Sequence, residues 1–164
     1  MLIAMQVFLV AVSACAGSGV AVVSAGSDLG SIPIGGTPSD AHIFVVSDCE
    51  HLPDRYADCS AQDAEGRRYA FFEGALAKVW VTRAEAARAL RLPAALEFGE
   101  DIERAAETVA KAYGIKLDRA PAHDGRTVYS SDFVLKSSAG VMYSIELVAD
   151  EKGRLVEVAE RTDL

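Results

Sequence analysis

The stretch SDCEHLPDRYADCSAQ holds residue types able to do chemistry: Cys49 and Cys59 stand ten positions apart, His51 follows the first by two, and His42 precedes it by seven. Thiolate and imidazole are the ligands that zinc and copper accept, so Cys49, Cys59, His42 and His51 form a candidate envelope metal or redox site. Their spacing matches no zinc-finger pattern, and the cysteines lack the two-residue separation of a redox dithiol. The competing reading is a disulfide. Closing so short a loop stabilises a fold by about 3 kcal/mol in the chain-entropy model. Compartment decides between them, because disulfides persist only where conditions are oxidising.

The elements that would deliver these residues to such a compartment lie at the start of the chain. No charged side chain occurs in residues 1–27, and LIAMQVFLVAV is an apolar run of signal-peptide length. It is too short to span a bilayer, since Gly17, Ser18 and Gly19 interrupt it before about 20 apolar residues accumulate. VSAC at Val12 to Cys15 resembles a bacterial lipobox, which implies lipidation of Cys15 and a periplasmic protein tethered to the outer membrane. Small residues at Ala14, Ala16 and Ala25 equally suit ordinary cleavage. Either fate removes Cys15 from pairing and leaves Cys49 and Cys59 as the disulfide.

The 164 residues suffice for one globular domain over 28–164. A net charge of -8 lacks the basic footprint that a phosphate backbone requires, so nucleic acid is excluded as a partner, and no cofactor is needed to complete a core. Ser130, Ser131, Asp132 and His123 include nucleophile, base and carboxylate types, but no glycine-flanked nucleophile elbow accompanies them, and they read as strand-surface polarity. No catalytic residue is assigned. The acidic run EFGEDIE reads as a helix N-terminus rather than a calcium loop.

Two segments align at an offset of 64 residues. Ile32, Ile34 and Gly35 match Leu96, Phe98 and Gly99, and Thr37 matches Asp101 as a helix-cap candidate. The second copy predicts a helix, because Ile102, Ala105, Ala106, Val109, Ala110 and Tyr113 form one stripe and Gly114 follows as a stop. The first predicts a helix from Thr37 to Cys49 with Ala41, Val45, Cys49 and Leu52 inward, although HIFVV alone reads as a strand. GRRYAFFEGALAKVWV predicts two strands about a turn at Glu73 and Gly74. Residues 125–161 predict three more, joined at SSAG and DEKG. TRAEAARALRLP predicts a short connecting helix with a Thr82 to Glu85 capping box. The expected fold is therefore α+β: two helix-then-antiparallel-strands repeats, about 32–81 and 96–161, forming one sheet with helices on one face. Alternation puts Val141, Tyr143, Ile145, Leu147, Val79 and Val81 on the covered face, and Leu76, Lys78 and Trp80 on the open one.

This tandem pattern, with Gly66-Arg67-Arg68-Tyr69 and Gly125-Arg126-Thr127-Val128-Tyr129 opening the strands, resembles the beta-lactamase inhibitor protein-like fold, to which small outer-membrane assembly lipoproteins are related. The resemblance implies noncatalytic protein binding through the exposed sheet face. Trp80, Tyr69 and Phe71 are the candidate anchors for a protein partner in the cell envelope, since aromatics dominate interface energetics.

Overall fold

The computed structural model of the chain describes residues 29–37, 43–49, 58–121 and 125–163. Residues 1–28, with Cys15, and the three histidines lie outside them. Among the described residues the chain forms nine antiparallel strands and one α-helix: β1 Phe44–Ser47, β2 Cys59–Asp63, β3 Arg68–Phe72, β4 Ala75–Thr82, α1 Ile102–Tyr113, β5 Leu117–Pro121, β6 Thr127–Ser131, β7 Leu135–Lys136, β8 Met142–Ala149 and β9 Leu155–Arg161. The sheet runs β1-β2-β3-β4-β9-β8-β6-β5, with the short β7 also on β8.

This overturns the expected pair of helix-then-strands repeats: the described residues are mostly sheet, with one helix among them rather than two. The physical reason is length. Only eight residues lie between Gly35 and the first residue of β1, Phe44, whereas seventeen lie between Gly99 and the first residue of β5, Leu117. The shorter interval has no room for a twelve-residue helix followed by a loop. Residues 44–47 instead form β1, whose Val45 points to solvent rather than inward. The connecting helix is also absent, replaced by turns and a 3-10 turn at Pro93–Ala95. Beside the local turn bonds of Glu85 and Ala86 N–H to Thr82 C=O, Ala87 N–H donates sideways to Glu65 C=O at 3.0 Å, tying the segment to the β2–β3 turn.

Helix α1 forms where its stripe predicts. Asp101 accepts from Glu103 and Arg104 N–H at its start, and Gly114 ends it in a left-handed conformation at φ 65°. Ile102, Ala105, Ala106, Val109 and Tyr113 are buried on one side of the sheet. The same side receives Tyr69, Phe71, Val79, Val81, Tyr143, Ile145, Leu147 and Val158, and also Leu29, Ile32 and Ile34 from ahead of the first strand.

What the two halves share is a hydrogen-bond arrangement. Gly35 N–H donates to Leu76 C=O, and Leu76 N–H to Gly36 C=O; correspondingly, Gly99 N–H donates to Leu155 C=O, and Leu155 N–H to Glu100 C=O. Leu76 and Leu155 stand near the starts of β4 and β9, which pair with each other at mid-sheet with Trp80 opposite Ala159. Both flanking hairpins carry a register shift in their turn-proximal half, between Ala70 and Phe71 and between Val148 and Ala149. The first shift has a consequence for side-chain direction. It leaves Ala77 without a partner, reverses the alternation, and turns Leu76 inward, where sequence alternation puts it on the open face.

Candidate functional site: the open face of the sheet

The covered face is packed, so a surface function belongs to the opposite one. Cross-strand pairing fixes which residues lie there. Gln62 pairs with Arg68, Arg68 with Trp80, Trp80 with Ala159, Ala159 with Glu146, and Glu146 with Ser130. Directly paired residues share a face, so these form one row across six strands. Lys78 opposite Arg161, and Thr82 opposite Glu157, flank the row on the central strand pair. Trp80 is half-buried at its middle.

The three anchors read from sequence separate at this point. Trp80 stays on the open face. Tyr69 and Phe71 do not: Tyr69 pairs with Val79 and is fully buried, and Phe71 is buried beside it, with Phe44 stacked at an angle against both rings. Neither can touch a partner. The Tyr69 hydroxyl donates to Asp63 Oδ2 at 2.7 Å, and Ser31 N–H reaches the same hydroxyl at 3.5 Å. Burial pushes the Tyr69 hydroxyl up from its ordinary pKa, against the lowering hydrogen bond with Ser31 and helped by the one to Asp63. Arg67 completes the network, with Nε on Asp63 at 2.6 Å and Nη1 on Leu29 C=O at 3.3 Å. These four residues clamp the segment before the first strand onto the sheet.

Three ion pairs surround Trp80 on the open face, and a fourth, Lys116 with Asp118, lies at its β5 edge. Arg68 meets Glu85, Lys78 Nζ lies 3.9 Å from Glu157, and Arg161 Nε lies 2.7 Å from Glu146. Lys78 Nζ also sits 5.3 Å from the centre of the Trp80 ring, within cation–π range. Burial raises the Glu157 carboxyl above its ordinary pKa; Lys78 and Arg126 pull it down, and Glu146 and Glu85 add to the rise. A cleft of about 390 Å³ opens beside Trp80, lined by Val46, Ser47, Asp48, Ser60, Gln62 and Arg68.

The disulfide joins the chain neighbours of two residues that line this cleft, Asp48 and Ser60. Cys49 and Cys59 are bonded, with Cα atoms 5.1 Å apart. Their bond ties the chain after β1 to the first residue of β2. Asp48 reinforces it by accepting from Ser60 N–H and from the Ser60 hydroxyl. Asp48 is the one further metal-type ligand beside the sulfurs among the described residues, and sulfurs joined to each other are not thiolate ligands. The serine set is likewise engaged in structure. Ser131 is buried and its hydroxyl accepts from Ile145 N–H at 3.1 Å, while Ser130 donates to Ser131 C=O at 3.2 Å.

Comparison with protein-family models, curated proteins and solved structures finds no match to this chain.

Proposed function

We propose that the chain is an exported, noncatalytic protein-binding or envelope-assembly module that docks a protein partner on its open sheet face. Trp80 carries the reading. A large aromatic placed at the centre of the uncovered face, half-buried and beside a cleft, has the character of an interface anchor rather than of a core residue. Two further features support it. The bonded Cys49–Cys59 pair suits an oxidising compartment, in keeping with an apolar leader and with a tether at Cys15 in the periplasm or at the outer membrane. The resemblance of the strand openings Gly66–Tyr69 and Gly125–Tyr129 to the beta-lactamase inhibitor protein-like fold, whose two-helix repeat is not found among the described residues, implies the same use of a sheet face.

The test is capture after cross-linking in living cells, comparing tagged wild-type protein with Trp80→Ala and Trp80→Phe. The expected result is loss of the captured partner with Ala, partial retention with Phe, and an unchanged melting curve for both. If the Ala variant remains folded and captures the same partner as fully as wild type, the open face is not the docking surface.

A further inference from the structure

On the open face the two members of each ion pair around Trp80 are not equally exposed. The side chains of Arg68, Lys78 and Arg161 are 47%, 35% and 44% exposed, whereas those of their partners Glu85, Glu157 and Glu146 are 23%, 20% and 16% exposed. The carboxylates lie beneath and the cations stand outward. Around the single tryptophan of a chain of net charge -8, the three cations thus stand further out than the carboxylates they pair with, and the exposed Asp48 of the cleft is held by Ser60.

The placement works against local stability. Lys78 and Arg161 face each other directly across the central strand pair, an arrangement that is destabilising for like charges. The recessed Glu157 and Glu146 offset that repulsion without reaching the surface. A violation of strand-pairing preference at the middle of a sheet, kept in place by recessed counter-charges, marks a surface shaped for something outside the molecule.

Resting on the docking role of this face, we propose that its partner is an acidic polypeptide segment: an apolar side chain packs on Trp80, and neighbouring carboxylates reach Arg68, Lys78 and Arg161. Discrete carboxylates fit better than a continuous polyanion. Each cation stands above a carboxylate that would repel an unbroken run of phosphates, and the remainder of the chain is strongly acidic.

Trp80 reports on this surface directly, because no other tryptophan contributes to the emission. The experiment is a titration of the full chain with a synthetic peptide of alternating Glu-Leu and Asp-Ser units, and with a matched peptide carrying Lys for each acidic residue. The expected result is a saturable change in Trp80 emission with the acidic peptide alone, weakened by added salt. Arg68→Gln with Arg161→Gln, both exposed and away from the core, is expected to weaken it by roughly tenfold. Equal response to both peptides, or no loss in the double variant, would overturn the proposal. So would tighter binding of single-stranded DNA or of phosphatidylglycerol vesicles, which would make the face a general polyanion site. A silent acidic peptide, together with a cellular partner still lost on Trp80→Ala, would remove the acidic partner and leave the docking face standing.

Discussion

Asp63 shows how much of this fold hangs on one side chain. Its carboxylate is buried and accepts four hydrogens: Glu65 and Arg67 N–H on Oδ1, Arg67 Nε–H and the Tyr69 hydroxyl on Oδ2. Asp63→Asn keeps the volume but sets an amide against those donors and leaves Arg67 without its counter-charge. It is expected to cost about 3 kcal/mol, against about 1 kcal/mol for Tyr69→Phe. Urea midpoints compared at a common slope check this, and an Asn variant as stable as wild type would show that the clamp is dispensable. Glu157 gives the pH counterpart. Its folded pKa is raised, so the folded state binds a proton more readily than the unfolded chain does. The cost of holding it charged is therefore full above the folded pKa and vanishes as pH falls below the unfolded one. Glu157→Gln lacks that titration. Its stability relative to wild type is expected to be most favourable near neutral pH and to decline as pH falls through the carboxylate range, and a difference independent of pH would contradict the assignment. In the sequence, Tyr69 reads as an exposed anchor at the opening of a strand, because the residue that meets its hydroxyl in the interior, Ser31, lies 38 residues away. Cys49 and Cys59 were legible because their spacing and leader context sufficed. Trp80 was separable from Tyr69 and Phe71 only once strand register was known.

Among the elements, those with their own punctuation were readable. Helix α1 has cap, stripe and stop within fourteen residues, and the β3–β4 turn falls at Glu73 and Gly74, both with positive φ. The elements misread were those decided by distant contacts. Thr82 and Glu85 have the capping-box residue types, yet the Thr82 hydroxyl donates to the Glu85 carboxylate at 2.8 Å while Arg68 holds the same carboxylate. No helix follows. Strands β2 and β5 went unread, since CSAQD and LDRAP lack apolar alternation and gain strand form only by lying against β3 and β6. The β2–β3 turn and the connecting segment meet at Gly66, where φ is 85° and a Cβ would strike the Glu85 carbonyl. Gly66→Ala is expected to destabilise by about 2–3 kcal/mol, and Gly153→Ala, with φ of 72° and open space around it, by about 1 kcal/mol. Equal costs at the two sites, measured by thermal unfolding, would mean that the Glu85 contact is not formed.

For the whole molecule, the packing of Leu29, Ile32 and Ile34 makes the segment ahead of the first strand part of the core. A chain starting at Asp28 keeps them, and one starting at Thr37 loses three buried side chains. The shorter chain is expected to be less stable by about 5 kcal/mol, a loss equal to the whole stability of a domain at the low end of the usual range. Circular dichroism of the two would decide it, and a folded shorter chain would show that this segment is an accessory. Sequence alternation found the inward side of the main strands, and a single sheet was expected. The one-helix wiring was not, because it depends on the count of residues between Gly35 and β1 rather than on any motif. The seam of the sheet joins residues 78–82 to residues 157–161, so neighbours in space are nearly half the chain apart in order of manufacture. A ribosome must deliver residue 161 before the two halves can zip together. Until then β4 offers an unmatched edge, so a product ending at residue 152 would be a sticky half-sheet rather than a smaller version of the protein.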